Sequence, residues 1–355
     1  MLIHQAEGEE QMEKYEQLPN DTYSWDEEDL SAPCEFIVPG FNSLGLLIVH
    51  MIVFVISLMG NSVVVYVVCS MRKTTTEVYL LHLALADLLF CLTLPFWAVD
   101  VHYGWIFGGF LCKLLSGFQE ASVYSGVFLL ACISVDRYFA IVRATRVSSF
   151  HHLQVRVICG VVWLVAVGLS LPAMIKRESM YDDDLGQYIC YDNVTVESSN
   201  RWRVSVRILQ HSVGFFLPLL VMAVCYGWTV ATLFQTRNQQ KHKAMCVILA
   251  VVLAFILCWL PYNVTILIDT LMRGKWLKVK LCETQYVVEM VLNVTKLVAF
   301  MHCAVNPVLY AFIGEKFRRQ LALALSKCGL CQRFQAASRR SSAGSVRSRN
   351  SSVLV

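Results

Sequence analysis

Seven stretches of mostly apolar residues, near 42 to 70, 77 to 101, 111 to 141, 154 to 175, 205 to 234, 243 to 271 and 286 to 311, alternate with short polar connections along the chain. A helix needs roughly 20 such residues to cross the hydrocarbon of a bilayer, and every stretch is long enough. Inside lipid a helix satisfies its own backbone hydrogen bonds, which an open strand or loop cannot do. The pattern therefore predicts an all-α membrane protein, a seven-transmembrane helix bundle over residues 41–313. Beyond it, GEKFRRQLALAL predicts a short amphipathic eighth helix within 314–327, with Phe317, Leu321 and Leu325 on one face and Lys316, Arg318 and Arg319 available for anionic lipid headgroups. Residues 1–40 form an acidic head and 328–355 a basic, serine-rich tail, both expected to be disordered.

Composition agrees: 56 % of the 355 residues are hydrophobic and only 16 % charged, against about 25 % charged in ordinary globular chains. Little remains outside the membrane, so no soluble catalytic domain fits, and nothing in the pattern points to nucleic acid. The net charge of +4 conceals an asymmetry. Arg72 and Lys73 follow the first span, Arg143, Arg146 and Arg156 flank the second cytoplasmic connection, and Arg237, Lys241 and Lys243 lie between the fifth and sixth spans. Basic residues in short loops are held on the cytoplasmic side, so the head is expected outside and the tail inside a multi-pass plasma-membrane protein. The first residues show neither a basic region nor an apolar run of signal-peptide type, and the first span is expected to serve as the insertion signal.

Of fourteen cysteines, four fall on the expected outer side: Cys34, Cys112, Cys190 and Cys282. Disulfides form on that oxidising side, and four thiols permit three connectivities. Eight others lie in spans, where a cysteine is commonly a small inert hydrophobe, and Cys328 and Cys331 stand where palmitoylation occurs. Residues 1 to 33 hold ten acids against one lysine, with Tyr15 and Tyr23 among them, a setting suited to tyrosine sulfation or simply a solvated acidic tail. Asn20 and Asn193 open outer glycosylation sequons, whereas Asn263 and Asn293 match the pattern inside spans and are discounted. Ser338, Ser341, Ser342, Ser345, Ser348, Ser351 and Ser352 offer the tail to kinases.

Polar groups within the spans carry the functional reading, because an ionised side chain at the bilayer centre costs at least ~2.5 kcal/mol. Asp87, midway along the second span in LALADLL, is expected to meet Asn61 of the first span and Asn306 of the seventh in a polar centre. That centre either holds water or a sodium ion, or locks the spans together. Asp136-Arg137-Tyr138 ends the third span, where an arginine can pair with its neighbouring acid or reach into a cytoplasmic partner. Pro218, Pro261 and Pro307 each remove a backbone hydrogen bond from an apolar helix and predict loosened sites in the fifth, sixth and seventh spans. Trp259 precedes the second of these, and Tyr226 and Tyr310 lie below the first and third, placed to move inward.

Gly60-Asn61, LALADLL, DRYFAIV, CWLP and NPVLY, in this order, resemble the rhodopsin-like G-protein-coupled receptors over all seven spans. Thr93-Leu94-Pro95-Phe96, GWIFG around Trp105, LLACISVDRY, QKHKAM and HCAVNP narrow the resemblance to chemokine receptors, and RILQHSVGFFLP, CWLPYNVTILIDTLMR and NPVLYAFIGEKFR resemble the branch that answers interleukin-8-type CXC chemokines. The resemblance covers roughly residues 40 to 327. It implies Cys112–Cys190 and Cys34–Cys282 disulfides, and chemokine contacts at Trp97, Asp100, Arg203, Arg207 and Asp269 as well as the head. It further implies a switch built from Asp136, Arg137, Tyr138, Tyr226, Trp259, Pro261, Asn306, Pro307 and Tyr310. The partners so implied are CXC chemokines, heterotrimeric G proteins of the inhibitory class, and arrestin and receptor kinases on the tail, with chemotaxis and calcium signalling as the outcome.

The chain also departs from that family. Lys296 stands eleven residues before Pro307, where the branch has Glu, and its ammonium is expected to project into the pocket with Glu289 or Asp100 as counter-charge, the alternative being a side chain turned outward to headgroups. Ser122 and Gly126 replace the usual polar ion ligands of the third span, which weakens the case for sodium; no other cofactor and no catalytic set is read. Lys241, twenty residues before Pro261, takes a place where many relatives carry an acid, so no lock from there should hold Arg137. A retinal protein would need its lysine seven residues before Pro307, where Phe300 stands, and Asp87 has no carboxylate partner for an aspartyl protease. A transporter would show repeats that are absent from the pattern. An atypical scavenging receptor shares fold and ligands without G-protein coupling, and the intact DRYFAIV argues against it.

Overall fold

The computed structural model describes residues 43–70, 74–143, 152–183, 185–192, 199–234, 239–273 and 282–313, with Arg318 and Ala322 beyond them. Tyr15, Tyr23, Asn20, Cys34, Asn193, the tail serines and nearly all of the amphipathic segment lie outside the described residues, as do the side chains of Arg203, Lys241 and Cys282.

Among the described residues, seven helices are long and apolar enough to cross a membrane: Ser43–Cys69, Thr75–Tyr103, Gly108–Ile141, Leu153–Lys176, Val204–Phe234, Ile248–Met272 and Tyr286–Tyr310. These are the seven expected spans, with ends that differ by a few residues. They pack as a bundle in which the third span is the central member, lying against the second, fourth and fifth. Its apolar face, with Val127, Leu129, Leu130 and Ile133, is buried in one core with Leu83, Phe90, Met222, Phe255 and Trp259. Leu164 and Trp228, by contrast, face outward, as apolar side chains do when lipid is the solvent.

Three spans are not simple helices. The second opens on a capping box, in which the Thr74 backbone N–H donates to Glu77 Oε2 at 2.7 Å and the Thr74 hydroxyl accepts from the Glu77 N–H. It then turns at Leu92–Thr93 before continuing as Leu94–Tyr103. The Thr93 hydroxyl and backbone N–H both donate to the Phe90 carbonyl, a local competition with the helix that Pro95 abets by bringing no N–H of its own. The fifth carries a π turn, Ser212–Phe216, directly before Pro218. There the Leu217 N–H reaches back to the Ser212 carbonyl, and the extra residue absorbs the missing proline donor. The seventh divides at Met301 into Cys282–Phe300 and His302–Ile313, six residues before the proline that was expected to loosen it. The sixth stays continuous through Pro261, where the Asn263 side chain donates to the Trp259 carbonyl at 2.9 Å.

Pro307 has a second effect. Lacking an N–H, it leaves the Cys303 carbonyl without its helical donor. The first span supplies replacements: Asn61 Nδ2 donates to that carbonyl at 2.8 Å and the Ser57 hydroxyl at 3.2 Å. Gly60 makes the approach feasible, because a Cβ there would stand 2.7 Å from the Pro307 Cβ.

One end of the bundle carries an antiparallel hairpin that the apolar pattern did not predict, β1 (Arg177–Asp182) paired with β2 (Gln187–Asp192). A Cys112–Cys190 disulfide ties β2 to the third span, closing a sequence separation of 78 residues. From the other side, the Trp105 N–H donates to the Tyr188 carbonyl at 2.7 Å. Gly104, at φ 76°, lets the chain turn there, and a Cβ would sit 2.8 Å from that same carbonyl. Trp105 is buried against Trp97 and Phe107, and its indole donates to the Gly108 carbonyl.

Gly60→Leu is expected to force the first and seventh spans apart and to break the Asn61–Cys303 bond. Thermal unfolding of the purified protein should show a loss of about 1–3 kcal/mol or more, the usual cost of overpacking. A midpoint equal to that of the unaltered protein would show that the close approach is dispensable.

Candidate functional site

Below the hairpin, the third to seventh spans enclose a cavity of about 220 Å³. Its walls bear Glu120 and Tyr124 of the third span, Lys176 and Arg177 where the fourth passes into β1, Arg207, Gln210 and His211 of the fifth, Tyr262 and Asn263 of the sixth, and Lys296 of the seventh; Trp259 and Phe300 contribute aromatic surface. The wall is polar because these helices turn one to three polar side chains inward while their apolar ones face lipid or the core, and ionisable groups within spans are kept toward the bundle interior or a cavity.

These groups are organised. Arg207 donates to Asp269 at 2.9 Å, so two residues predicted as separate ligand contacts form an ion pair between the fifth and sixth spans, Asp269 standing behind Arg207. Glu120 accepts from Gln210 at 3.2 Å and from the Tyr124 hydroxyl at 3.4 Å. His211 donates to Asn263 at 2.8 Å. Arg177, the first residue of β1, donates to the Cys190 carbonyl of β2 at 3.0 Å, a bond within the hairpin that also holds its guanidinium at the cavity wall. Lys296 lines the cavity as expected, with its ammonium 5.7 Å from the centre of the Phe300 ring, one helical turn on. Asp100, half-buried, lies within electrostatic reach of both Lys296 and Arg177. Trp97 packs on Trp105 at 5.2 Å; neither Trp97 nor Asp100 forms part of the cavity wall.

An aromatic cluster underlies the cavity. Trp259 lies 6.1 Å from Phe255, 6.4 Å from Phe90 and 5.1 Å from the His302 ring. His302 is fully enclosed, its Nδ1 donating to the Ala299 carbonyl at 2.7 Å and its Nε2 lying 3.6 Å from Asp87 Oδ1. The other carboxylate oxygen of Asp87 accepts from Asn306 Nδ2 at 2.7 Å. The polar centre is thus Asp87, Asn306 and His302. Asn61, expected to meet Asp87, instead bonds Ser57 and Cys303, because Pro307 leaves the Cys303 carbonyl needing a donor. The Ser122 hydroxyl is spent on the Gln119 carbonyl and Gly126 has no side chain, so neither of these third-span residues donates to Asp87.

At the opposite end, Arg137 pairs with its neighbour Asp136, Nε lying 3.0 Å from Oδ2. Tyr226 is buried near Ser134 and Arg137, while Tyr310 is buried within electrostatic reach of Asp87. Tyr138 packs on Phe139. Glu120, Gln210, His211 and His302 were missed in the sequence. Glu120 had a readable signal, an acid inside an apolar span; the other three are of types common at helix faces and become notable only through what they touch.

Seven spans, three of them locally broken, thus enclose a cavity beneath a disulfide-tied hairpin at one end and finish in an Asp-Arg pair at the other, the architecture of a seven-helix membrane bundle. The family described as 7 transmembrane receptor (rhodopsin family) matches residues 60–310. Human C-X-C chemokine receptor type 2 is 46 % identical over 302 residues, covering 84 % of this chain and 83 % of the relative. Rabbit type 1 is 45 % identical over 306 residues, 86 % of this chain and 85 % of the relative, and human type 1 is 44 % identical over 323 residues, 87 % and 91 %. The chain belongs to the C-X-C chemokine receptor family of rhodopsin-type receptors, and it is a multi-pass membrane protein.

Asn306→Leu removes the amide that donates to Asp87, and leaving a buried acceptor unpaired costs about 1–3 kcal/mol. The variant is expected to unfold at a lower temperature, and Asp87→Leu in the same chain to recover part of the loss. Unchanged stability in the single variant would mean that Asp87 has another donor.

Proposed function

We propose that the chain is a plasma-membrane G-protein-coupled receptor for CXC chemokines of the interleukin-8 type, with the acidic head and hairpin outside and the Arg137 end in the cytoplasm. Binding outside would activate a heterotrimeric G protein, of the inhibitory class, and so drive calcium signals and chemotaxis. Receptor kinases and arrestin would act on the serine-rich tail. The observation that carries this reading is the pairing of a charged cavity beneath a tethered hairpin with an Asp136–Arg137 pair at the far end of the same third span. Seventeen residues separate Glu120 from Arg137, roughly 25 Å of helix. Between the two ends runs the packed series Trp259, His302, Asp87 and Asn306.

The ligand side rests on the family and on charge. A head with ten acids against one lysine attracts basic proteins over a distance and orients them, which raises association rates more than it raises final affinity. A Cys34–Cys282 disulfide, as the resemblance implies, would join that head covalently to the start of the seventh span. The intact Asp136-Arg137-Tyr138 favours G-protein coupling over a purely scavenging role. A chemokine panel applied to transfected cells, read as calcium release and inhibition of cAMP formation, tests the whole reading. Ligand uptake without either response would place the chain among the scavenging receptors.

Two variants test its parts. Arg137→Ala should abolish G-protein activation and leave surface expression and chemokine binding intact, because Arg137 lies at the end remote from the cavity; equal loss of binding at matched expression would assign it to the fold or the ligand site. Lys296→Glu restores the charge found in the branch and should shift the potency or rank order of chemokines at unchanged surface expression. An unaltered rank order and potency would make the charge inversion silent.

A further inference from the structure

The hairpin over the cavity carries three tyrosines, and their surroundings differ. Tyr191 donates its hydroxyl to Met180 Sδ at 3.5 Å. Tyr188 is 54 % exposed but sits between Gln187 and Ile189, without a charge beside it. Tyr181 is 47 % exposed, with the Tyr188 ring 5.2 Å away at an angle of 72°. Its phenol is therefore open to a reagent. Around it the sequence runs Glu178-Ser-Met-Tyr181-Asp182-Asp183-Asp184, three acids following directly and one preceding by three residues. Asp183 is exposed, and Asp182 accepts from the Leu185 N–H at 3.1 Å, holding the turn just beyond the tyrosine. The nearest cation along the strand, Arg177, is engaged on the Cys190 carbonyl and in the cavity wall.

We propose that Tyr181 is a tyrosine O-sulfation site, modified in the secretory lumen and displayed at the rim of the cavity. The phenolic oxygen attacks the sulfur of a phosphoadenylyl sulfate donor; the new O–S bond forms as the bond from sulfur to the donor's bridging phosphate oxygen breaks, and the phenolic proton passes to a base of the sulfotransferase. Adenosine bisphosphate leaves, and no electrons are transferred. An enzyme that binds so strongly anionic a donor presents basic groups around it, so a tyrosine set among acids is drawn to its active site. An extended edge strand suits such an enzyme, since one side of its backbone is available for pairing. Once sulfated, Tyr181 would add a fixed negative charge beside the cavity, a docking point for a cationic segment of the ligand.

This inference rests on the orientation in the proposed function, since the donor and enzyme meet the hairpin only on the luminal side. The test uses the full chain expressed in mammalian cells with Tyr15→Phe and Tyr23→Phe, so that the head contributes no sulfate, and with N-glycans removed enzymatically. Radiosulfate incorporation is expected to remain in that background, to be lost on adding Tyr181→Phe, and to fall severalfold with Asp183→Asn, which keeps the phenol. Mass spectrometry of the hairpin peptide should locate the sulfonate on Tyr181. No residual sulfate in the Tyr15→Phe, Tyr23→Phe background at normal surface expression, or residual sulfate that Tyr181→Phe leaves unchanged, overturns the proposal. A chemokine response preserved in cells lacking the modification would separate its failure from failure of the receptor assignment.

Discussion

The carbonyl of Cys303 is the point on which the bundle closes. Pro307 denies it a helical donor, and in hydrocarbon no water replaces one. Asn61 and Ser57 of the first span supply the bonds, which they reach only because Gly60 leaves no Cβ against the proline. A glycine and an amide adjacent in sequence, and a proline more than two hundred residues further on, thereby become one joint. The first span has few other polar reasons to sit where it does: its outer face is apolar and suited to lipid, which by itself supplies no preference between one neighbour and another.

The same seventh span then gathers the remaining buried polarity. Its division at Met301 is followed by His302, which touches Trp259 on one side and Asp87 on the other, and four residues later by Asn306, which donates to Asp87. Trp259 also lines the cavity, so a ligand pressing on it would press on a group already in contact with the polar centre. Physical continuity of this kind makes coupling feasible, although coupling in the energetic sense requires two arrangements of comparable free energy. The π turn before Pro218, the divided seventh span and the Asp136–Arg137 pair are places where a second arrangement would cost least, since their backbone or charge pairing is already irregular or adjustable.

Charge within the cavity is arranged by pairs rather than by sign alone. Arg207 is committed to Asp269, Glu120 to Gln210 and Tyr124, and Arg177 to the hairpin backbone. Lys296 enters this set with Asp100 nearby and the Phe300 ring beneath it. A base is accommodated at this position because it opens on the cavity rather than on the packed core.

Seven spans, their order and the Asp136-Arg137 end were legible along the chain, because hydropathy depends on what lies next in sequence and lipid imposes one length on every crossing. Asp87 was legible too, since an acid in an apolar span is conspicuous wherever its partners lie. The partners themselves were not. Asn306 was expected and found, but Asn61 was assigned to Asp87 although it serves the Cys303 carbonyl, an acceptor that no side-chain pattern displays. His302, Gln210 and His211 acquire roles only by facing Asp87, Glu120 and Asn263, residues 215, 90 and 52 positions away across the bundle, and the pairing of Arg207 with Asp269 joins two groups read separately. Periodicity decides which residues can cross the membrane; which polar groups meet there is decided by how the helices rotate and where they break, and those depend on contacts between residues distant in sequence.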